Sequence, residues 1–254
     1  PVELVKIALI VVYAHYFSRR HLSIGRWHTV FTSFLYFIVP AAFVMLQPDL
    51  GSALVLFGIW FGFLLISGLP RRRVLSVLAL FAVAGVFMWN FGLQDYHRER
   101  IVGVFFPERN VLGINYSVNQ SKIAIGSAGF LGKGYGQGPQ TQLGYLTEPG
   151  TDFIFSALIE EWGWIAGILI VAAFLAMIYR ILKIGLLADQ NFEKFMCLGA
   201  ALVFGWQFFL NVGSVMGIVP VIGVTFPFLS YGGSSLLTSF FLLAIISAIA
   251  VRSR

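Results

Sequence analysis

Residues 153–180 read FIFSALIEEWGWIAGILIVAAFLAMIYR, and the only charged residues among them are Glu160, Glu161 and Arg180. A helix needs about 20 predominantly apolar residues to cross the hydrocarbon core of a bilayer. This stretch exceeds that length, so it predicts a transmembrane helix that tilts or projects beyond the membrane. Adjacent helical positions point about 100° apart, so Glu160 and Glu161 are not both expected to face one cavity.

The composition of the whole chain is that of a membrane protein. Of its 254 residues, 58% are hydrophobic and 11% are charged, whereas a soluble domain is about a quarter charged. The predicted fold class is an all-α polytopic membrane protein, because a bilayer core gives backbone groups no water to bond. We predict a single integral membrane domain over 1–254, with a long structured extracytoplasmic loop over 93–152. Its seven predicted spans cover about residues 4–18, 29–46, 50–69, 74–92, 153–180, 195–217 and 235–251.

The distribution of basic residues predicts the orientation of these spans. The net charge is +6, which reflects basic cytoplasmic loops rather than a nucleic-acid partner. The basic residues on the side predicted to be cytoplasmic are Arg19, Arg20, Arg26, Arg71, Arg72, Arg73, Arg180, Lys183, Lys194, Arg252 and Arg254. The chain start and the 93–152 loop are therefore expected outside, and the C-terminus inside.

Three carboxylates from distant parts of the chain fall at the predicted outer ends of spans, namely Glu3, Asp49 and Asp152. One reading makes them solvated helix ends, with Asp49 and Asp152 as N-caps. The other makes them members of a functional site. Glu3 and Lys6 are three residues apart and share a helix face, so they form either a structural ion pair or part of a cavity.

Cations lie in the same outer loop as Asp152. They are Arg98, Arg100, Arg109, Lys122 and Lys133, and residues 114–127 within the loop are predicted to form an amphipathic helix. Burial raises the pKa of a carboxyl group and nearby cations lower it. A carboxylate beside several cations at the outer lipid boundary suits a lipid pyrophosphate substrate, and it would suit a lipid transporter equally well.

Six strings in this chain resemble the SEDS family (shape, elongation, division, sporulation), and Ser121-Lys122-Ile123-Ala124 together with Gly132-Lys133-Gly134 resembles its RodA branch. The six strings occur in the family's order and cover nearly the whole chain. The strings are Glu3-Leu4-Val5-Lys6, residues 47–53 (QPDLGSA), residues 119–127 (NQSKIAIGS), residues 151–155 (TDFIF), residues 217–223 (GIVPVIG) and residues 226–235 (FPFLSYGGSS).

This resemblance implies ten spans, so three are expected upstream of Pro1. The sequence begins with Pro1 rather than an initiator Met, which agrees with this expectation. It also implies a multi-pass protein of the bacterial inner membrane whose active site faces outside. The implied partner is a class B penicillin-binding protein, whose membrane helix could pack near Gly199, Gly205 and Gly213, although these glycines could equally serve packing within the bundle.

The implied activity is that of a peptidoglycan glycosyltransferase, which polymerises the undecaprenyl-linked disaccharide lipid II with inversion. Asp152 would be the general base. The implied substrate-binding residues are Lys122, Lys133, Arg98, Arg100, Gln120, Ser121 and Gln142, and the implied cavity residues are Glu3, Lys6 and Asp49. No ligand cluster in the sequence identifies a metal, and Mg²⁺ or Mn²⁺ dependence is an expectation from the family. The alternatives are a lipid II flippase or transporter and a non-catalytic scaffold.

Overall fold

The computed structural model describes residues 2–20, 27–47, 49–108, 113 and 115–252. Across these residues every regular element is helical and none is a strand, which confirms the all-α class. The helices are α1 (Val2–Ser18), α2 (Trp27–Leu46), α3 (Leu50–Ile66), α4 (Arg71–Phe87), α5 (Asp95–Phe105), α6 (Tyr116–Ser127), α7 (Pro139–Gln142), α8 (Ile154–Leu187), α9 (Asn191–Val215) and α10 (Gly233–Arg252).

All seven predicted spans coincide with helices. Five helical segments are long and apolar enough to cross a membrane: α2, α4 together with the π-helical turn Met88–Gly92, α8, α9 and α10. The remaining two, α1 and α3, have 17 residues each, and a helix of that length is about 25 Å long. The chain is therefore a multi-pass membrane protein, while the count of seven spans stays a prediction.

The observed α8 continues about two turns beyond the predicted end at Arg180. Arg180 and Lys183 are both exposed on this extension. Long basic side chains can carry their charge to water while the backbone remains helical, so a charged residue does not mark the end of a helix. The predicted helix at 114–127 begins later, at Tyr116, and both Ile114 and Arg109 lie outside the described residues.

The chain folds into two compact units, each described here by itself. The first comprises Pro1–Met88, Met177–Trp206 and Ser234–Arg254, and the second comprises Trp89–Ala176 and Gln207–Gly233. The predicted outer loop contributes α5, α6 and α7 to the second unit, so the loop is structured as expected. The assignment of residues 1–254 to a single domain stays a prediction.

Aromatic side chains form the core of the first unit. The rings of Tyr13 and Phe63 lie 5.4 Å apart, and those of Phe17 and Phe63 lie 6.0 Å apart. The Phe37 ring stacks on Trp60 at 5.6 Å. Trp60 is 1% exposed, and such large buried rings account for much of the packing energy of a core.

One serine satisfies the polar atoms of this aromatic core. The Trp60 indole N–H donates to the Ser33 hydroxyl oxygen at 3.0 Å, and that hydroxyl donates to the Val30 carbonyl at 2.8 Å. The Tyr13 hydroxyl donates to the Ser33 carbonyl at 3.1 Å. Ser33 thereby joins α1, α2 and α3.

Gly199 is used for packing inside the first unit. A Cβ atom built on Gly199 would lie 2.6 Å from Ile10 Cγ2 and 2.7 Å from Phe63 Cζ. A larger residue would force the Ile10 or Phe63 side chain to shift, so the glycine allows α9 to pack closely on α1 and α3. Of the two readings of Gly199 given above, packing within the bundle is the one this contact supports.

A second aromatic cluster organises the other unit. Phe174 stacks on Phe208 at 4.9 Å, and both rings contact Phe226, at 5.3 Å and 5.4 Å respectively. Phe155 also stacks near Phe226, with the ring centres 6.0 Å apart. Phe226 belongs to the connection between α9 and α10, so this cluster fixes that connection against the start of α8.

We expect Ser33→Ala to lower the free energy of unfolding by about 1 kcal/mol, because the buried Trp60 N–H loses its acceptor. Thermal unfolding of the detergent-solubilised protein measures this as a lower Tm. Thr32→Ala is the matched control, since the exposed Thr32 hydroxyl bonds only to a carbonyl of its own helix, that of His28. Equal Tm values for the two variants would contradict the prediction.

Candidate active site

A tight turn before α8 carries Asp152. The turn begins at Glu148, whose φ of 48° is unusual for a residue other than glycine. The Glu148 carbonyl accepts the Thr151 N–H at 3.2 Å and the Phe153 N–H at 3.4 Å. Strained backbone of this kind clusters at functional sites. Asp152 is half-buried and precedes the first residue of α8, Ile154, by two positions.

The backbone around Asp152 is anchored on three successive carbonyl groups, those of residues 150–152. Their donors are the Tyr231 N–H at 2.8 Å, the Ser230 hydroxyl at 2.7 Å and the Asn211 side-chain amide at 3.0 Å. The same Asn211 amide also donates to the Val224 carbonyl at 2.8 Å. The turn is therefore held by α9 and by the connection that follows it.

Two charged neighbours act on the Asp152 carboxyl in opposite directions. Burial is the main cause that raises its pKa above the ordinary value, and the negative charge of Glu148 adds to the rise. The cation of Arg100 lowers the Asp152 pKa. Burial in turn lowers the pKa of Arg100, and the attraction of Asp152 opposes that change. Asp152 and Arg100 thus form an electrostatically coupled pair within the second unit.

Arg100 is held in a fixed orientation on α5. Its Nη1 donates to the Val221 carbonyl at 2.6 Å, and its Nη2 donates to the Tyr96 hydroxyl. The guanidinium carbon lies 4.2 Å from the centre of the Tyr96 ring. A planar guanidinium stacked in this way remains charged and presents its other N–H groups in one direction.

Arg100 and Lys122 line the same small cleft, which has a volume of about 70 Å³. Ser117 and Asn119 add polar groups to its wall. Lys122 is exposed and forms no ion pair with another residue in the described part of the chain. Its ammonium group packs over Gly217. The two cations and the polar wall of the cleft suit the oxygens of a phosphate group.

Two other predicted substrate-binding residues have partners on α8. The Lys133 ammonium donates to the Ser127 hydroxyl at 2.7 Å and lies 3.7 Å from the Glu160 carboxylate. Gln142 Nε2 donates to Glu161 at 3.2 Å. Glu160 and Glu161 therefore differ as predicted, since Glu160 is fully buried and Glu161 is half-buried.

Gln142 and Glu161 line a larger, open groove of about 580 Å³. Its other walls include Tyr135, Gly150 and Trp162. The Tyr135 and Trp162 rings lie 6.2 Å apart. This groove borders the turn that carries Asp152 and is large enough for a small organic ligand.

The remaining predicted contacts lie in other surroundings. Arg98 pairs with Asp95 at 3.5 Å and donates to the Asn90 carbonyl at 3.3 Å. Ser121 is fully buried, and its hydroxyl bonds to Ser156 at 2.6 Å and to the Val215 carbonyl at 2.8 Å. These contacts give Ser121 a structural role in joining α6, α8 and α9. Gln120 is half-buried on the same helix, α6.

The predicted cavity residues belong to the first unit. Glu3 and Lys6 form an ion pair at 2.6 Å, and Thr238 on α10 donates to Glu3 at 3.1 Å. The Asp49 side chain accepts the Ser52 N–H at 2.9 Å, which confirms the reading of Asp49 as the N-cap of α3. Asp49 also lies within electrostatic reach of Lys6. A role of these residues in substrate binding stays a prediction.

Two residues that anchor the Asp152 turn were missed by reasoning from the sequence. Asn211 interrupts an apolar run, and a polar side chain in a membrane helix needs partners inside the protein, so a signal was present. Ser230 belongs to one of the six strings quoted above, but its pairing with the 148–153 turn joins segments far apart in sequence and could not be inferred from spacing.

No group of three or more His, Cys, Asp or Glu side chains among the described residues could hold a metal ion. Glu148 and Asp152 are the two carboxylates of the turn itself. Mg²⁺ is commonly bound through one or two carboxylates together with substrate phosphates and water, so these residues fit a metal that arrives with a phosphorylated substrate.

Fold and site together define a polytopic helical membrane protein with a half-buried carboxylate beside a cationic cleft. The sequence profile of the FtsW, RodA and SpoVE group, described as cell cycle protein, matches residues 1–254. The chain therefore belongs to this family, which confirms the resemblance drawn from the six strings.

Relatives with assigned activities cover most of the chain. It is 39% identical over 243 residues to the probable peptidoglycan glycosyltransferase FtsW of Haemophilus influenzae, covering 93% of this chain and 60% of the relative. It is 38% identical over 237 residues to the peptidoglycan glycosyltransferase MrdB of Escherichia coli K12, covering 93% of this chain and 64% of the relative. The chain thus spans somewhat less than two thirds of the length of these relatives.

Two solved structures share the fold. A chain from work on structural coordination of polymerization and crosslinking by a peptidoglycan synthase complex has a TM-score of 0.84 and 28% identity, covering 100% of this chain and 70% of that one. The rod shape determining protein RodA of Thermus thermophilus has a TM-score of 0.67 and 26% identity, covering 99% of this chain and 65% of that one.

The opposed influences of Arg100 and Glu148 predict opposite effects on the Asp152 pKa. Arg100→Gln should raise it, because the carboxylate loses a stabilising cation, and Glu148→Gln should lower it, because a repulsive charge is removed. Infrared titration of the carboxyl C=O band measures both shifts, with Asp152→Asn identifying the band. Shifts of the same sign in the two variants would contradict this assignment.

Proposed function

We propose that the full-length protein containing this chain is a peptidoglycan glycosyltransferase that polymerises lipid II during cell elongation. Of the relatives named above, one is called a peptidoglycan glycosyltransferase and the other a probable one, and the family match extends over the whole chain. The observation that carries the proposal is the coupled pair of Asp152 and Arg100 beside a cationic cleft.

Asp152 is the general base of the proposed reaction. Its carboxylate takes the proton of the acceptor 4-hydroxyl as that oxygen attacks the anomeric carbon of the donor sugar. The bond from this carbon to the lipid pyrophosphate breaks, so the anomeric configuration is inverted. A raised pKa suits this role, because a carboxylate of higher pKa is the stronger base provided that it is ionised at working pH.

Arg100 and Lys122 receive the leaving group. A departing pyrophosphate needs charge neutralisation rather than protonation, so the second carboxylic acid of many glycosidases is unnecessary. These two cations line one cleft, so their positive charge is concentrated there. A Mg²⁺ or Mn²⁺ ion held by Glu148 and the substrate phosphates would supply further positive charge there. Gln142 would contact sugar in the adjoining groove.

The proposed location is the bacterial inner membrane, with the Asp152 site facing outside. The predicted topology places the 93–152 segment there. The proposed partner is a class B penicillin-binding protein, which cross-links the new strands. Support comes from the likeness to a chain of a complex described as coordinating polymerization with crosslinking.

We expect Asp152→Asn to lower polymerisation at least about 100-fold, because the acceptor hydroxyl loses its base. The assay follows glycan strands made from lipid II by the purified full-length protein with its partner, while lipid II binding and partner binding persist. Asp189→Asn, which removes an exposed carboxylate, is the matched control and should keep full activity.

Continued strand synthesis by Asp152→Asn would reject the proposed function. Movement of lipid II between leaflets without polymer in the wild type would favour a transporter. Assembly with the partner, with neither polymer nor lipid movement, would favour a scaffold.

A further inference from the structure

Helix α8 is interrupted at Gly163. This residue has φ 81° and ψ 177°, a conformation that is essentially restricted to glycine. The interruption separates an outer segment, residues 154–162, from an inner segment that continues from residue 164 to Leu187. The outer segment begins two residues after Asp152, so the geometry at the interruption affects the position and direction of the Asp152 carboxylate.

A loop is inserted into the interruption. In a continuous helix the carbonyls of residues 160 and 161 would accept the N–H groups of residues 164 and 165. Here each of these four groups bonds to the loop over residues 129–134 instead. The Lys133 N–H donates to the carbonyl of residue 160 at 2.9 Å, and the Gly134 N–H donates to that of residue 161 at 3.0 Å. The N–H groups of residues 164 and 165 donate to the carbonyls of Gly129 at 3.1 Å and Phe130 at 3.3 Å.

Glycines allow the loop to lie against the helix backbone. A Cβ atom built on Gly132 would lie 2.6 Å from the backbone nitrogen of Gly163. Gly132 has φ 78°, so a larger residue there would be strained even without the contact. The backbone of the loop is therefore held closely against the backbone of the interrupted helix, and neither can slide along the other.

The Glu160 side chain fastens the next part of the same loop. Its carboxylate is fully buried and accepts the Gln140 N–H at 2.9 Å, the Thr141 N–H at 3.0 Å and the Thr141 hydroxyl at 2.8 Å. Lys133 balances the charge at 3.7 Å. A Cβ atom built on Gly138 would lie 2.8 Å from Glu160 Cδ, so the loop fits closely around this carboxylate.

We propose that Glu160 is a positioning residue for Asp152, acting through the clamp formed by its carboxylate and the loop over residues 129–142. The clamp holds the outer segment of α8 from one side, and Asn211 and Ser230 hold the preceding turn from another. With the clamp in place, the short outer helix cannot rotate about Gly163, and the direction of the Asp152 carboxylate is fixed. This inference rests on the proposed function.

The test uses a pair of variants at position 141 that differ in whether the side-chain hydroxyl is kept. Thr141→Val removes the hydroxyl that bonds to Glu160, and Thr141→Ser retains it. In the polymerisation assay with the full-length protein and its partner, Thr141→Val and Glu160→Gln should lower kcat, by about tenfold or more for Glu160→Gln. KM for lipid II should change less than about twofold, because a misdirected base slows chemistry without weakening binding. Thr141→Ser and Asp189→Asn should match the wild type.

Hydrogen exchange on the same samples locates the effect. In Thr141→Val and Glu160→Gln the amides of residues 133, 134, 140, 141, 164 and 165 should exchange faster, while protection of the first unit stays close to the wild-type value. Faster exchange throughout the chain would mean general destabilisation and would overturn a positioning role.

Three further results would overturn the inference. Wild-type kcat in Glu160→Gln, with Asp152→Asn inactive, would reject the positioning role and leave the proposed function standing. A raised KM with unchanged kcat would assign the clamp to substrate binding instead. Polymer synthesis by Asp152→Asn would reject the proposed function and this inference together.

Discussion

Backbone groups removed from water need hydrogen-bond partners within the protein, and this constraint explains the interruption of α8. Interrupting a membrane helix at Gly163 leaves two carbonyls and two N–H groups without their helical partners. Each finds a partner in the 129–134 loop. The loop is therefore part of the span in terms of hydrogen bonding. The glycines at 132 and 163 are required because the two backbones approach too closely for a Cβ atom.

The candidate active site follows from the same need to satisfy buried polar groups. Asp152 lies at a boundary between water and protein, where partial burial raises its pKa and Arg100 restrains the rise. The three carbonyls around it are bonded to groups that come from α9 and the connection after it. Among the described residues, the Asp152 carboxylate makes no hydrogen bond, whereas its backbone is fixed by hydrogen bonds. This combination suits a base that must meet a substrate hydroxyl in one orientation.

Much of the fold could be predicted from the sequence, because long apolar runs have a direct physical meaning in a membrane protein. All seven predicted spans are helical, and Asp152 and Arg100 are brought into one site as the clustering of charge in the outer loop indicated.

The bonding of individual loop side chains was not predictable. Ser121 is fully buried against Ser156, and Lys133 is engaged by Ser127 and Glu160. Whether a lysine or serine in a loop faces a ligand depends on tertiary contacts, and the spacing of residues along the sequence does not reveal these contacts. The interruption of α8 was equally hidden, since Gly163 occurs in an apolar run that contains another glycine, Gly167, within continuous helix.

The insertion of the loop into α8 also governs where the polypeptide tolerates changes of length. The four bonds match loop residues to helix residues one to one, so an added or deleted residue between Phe130 and Lys133 would move the two pairs of bonds out of register. Tyr135 and Gly136, by contrast, are exposed, and an insertion there would break one bond, from the Gln137 N–H to the Gly134 carbonyl at 3.1 Å. Homologous chains that differ in loop length should accommodate the difference at this tip, leaving the spacing through the inserted segment constant.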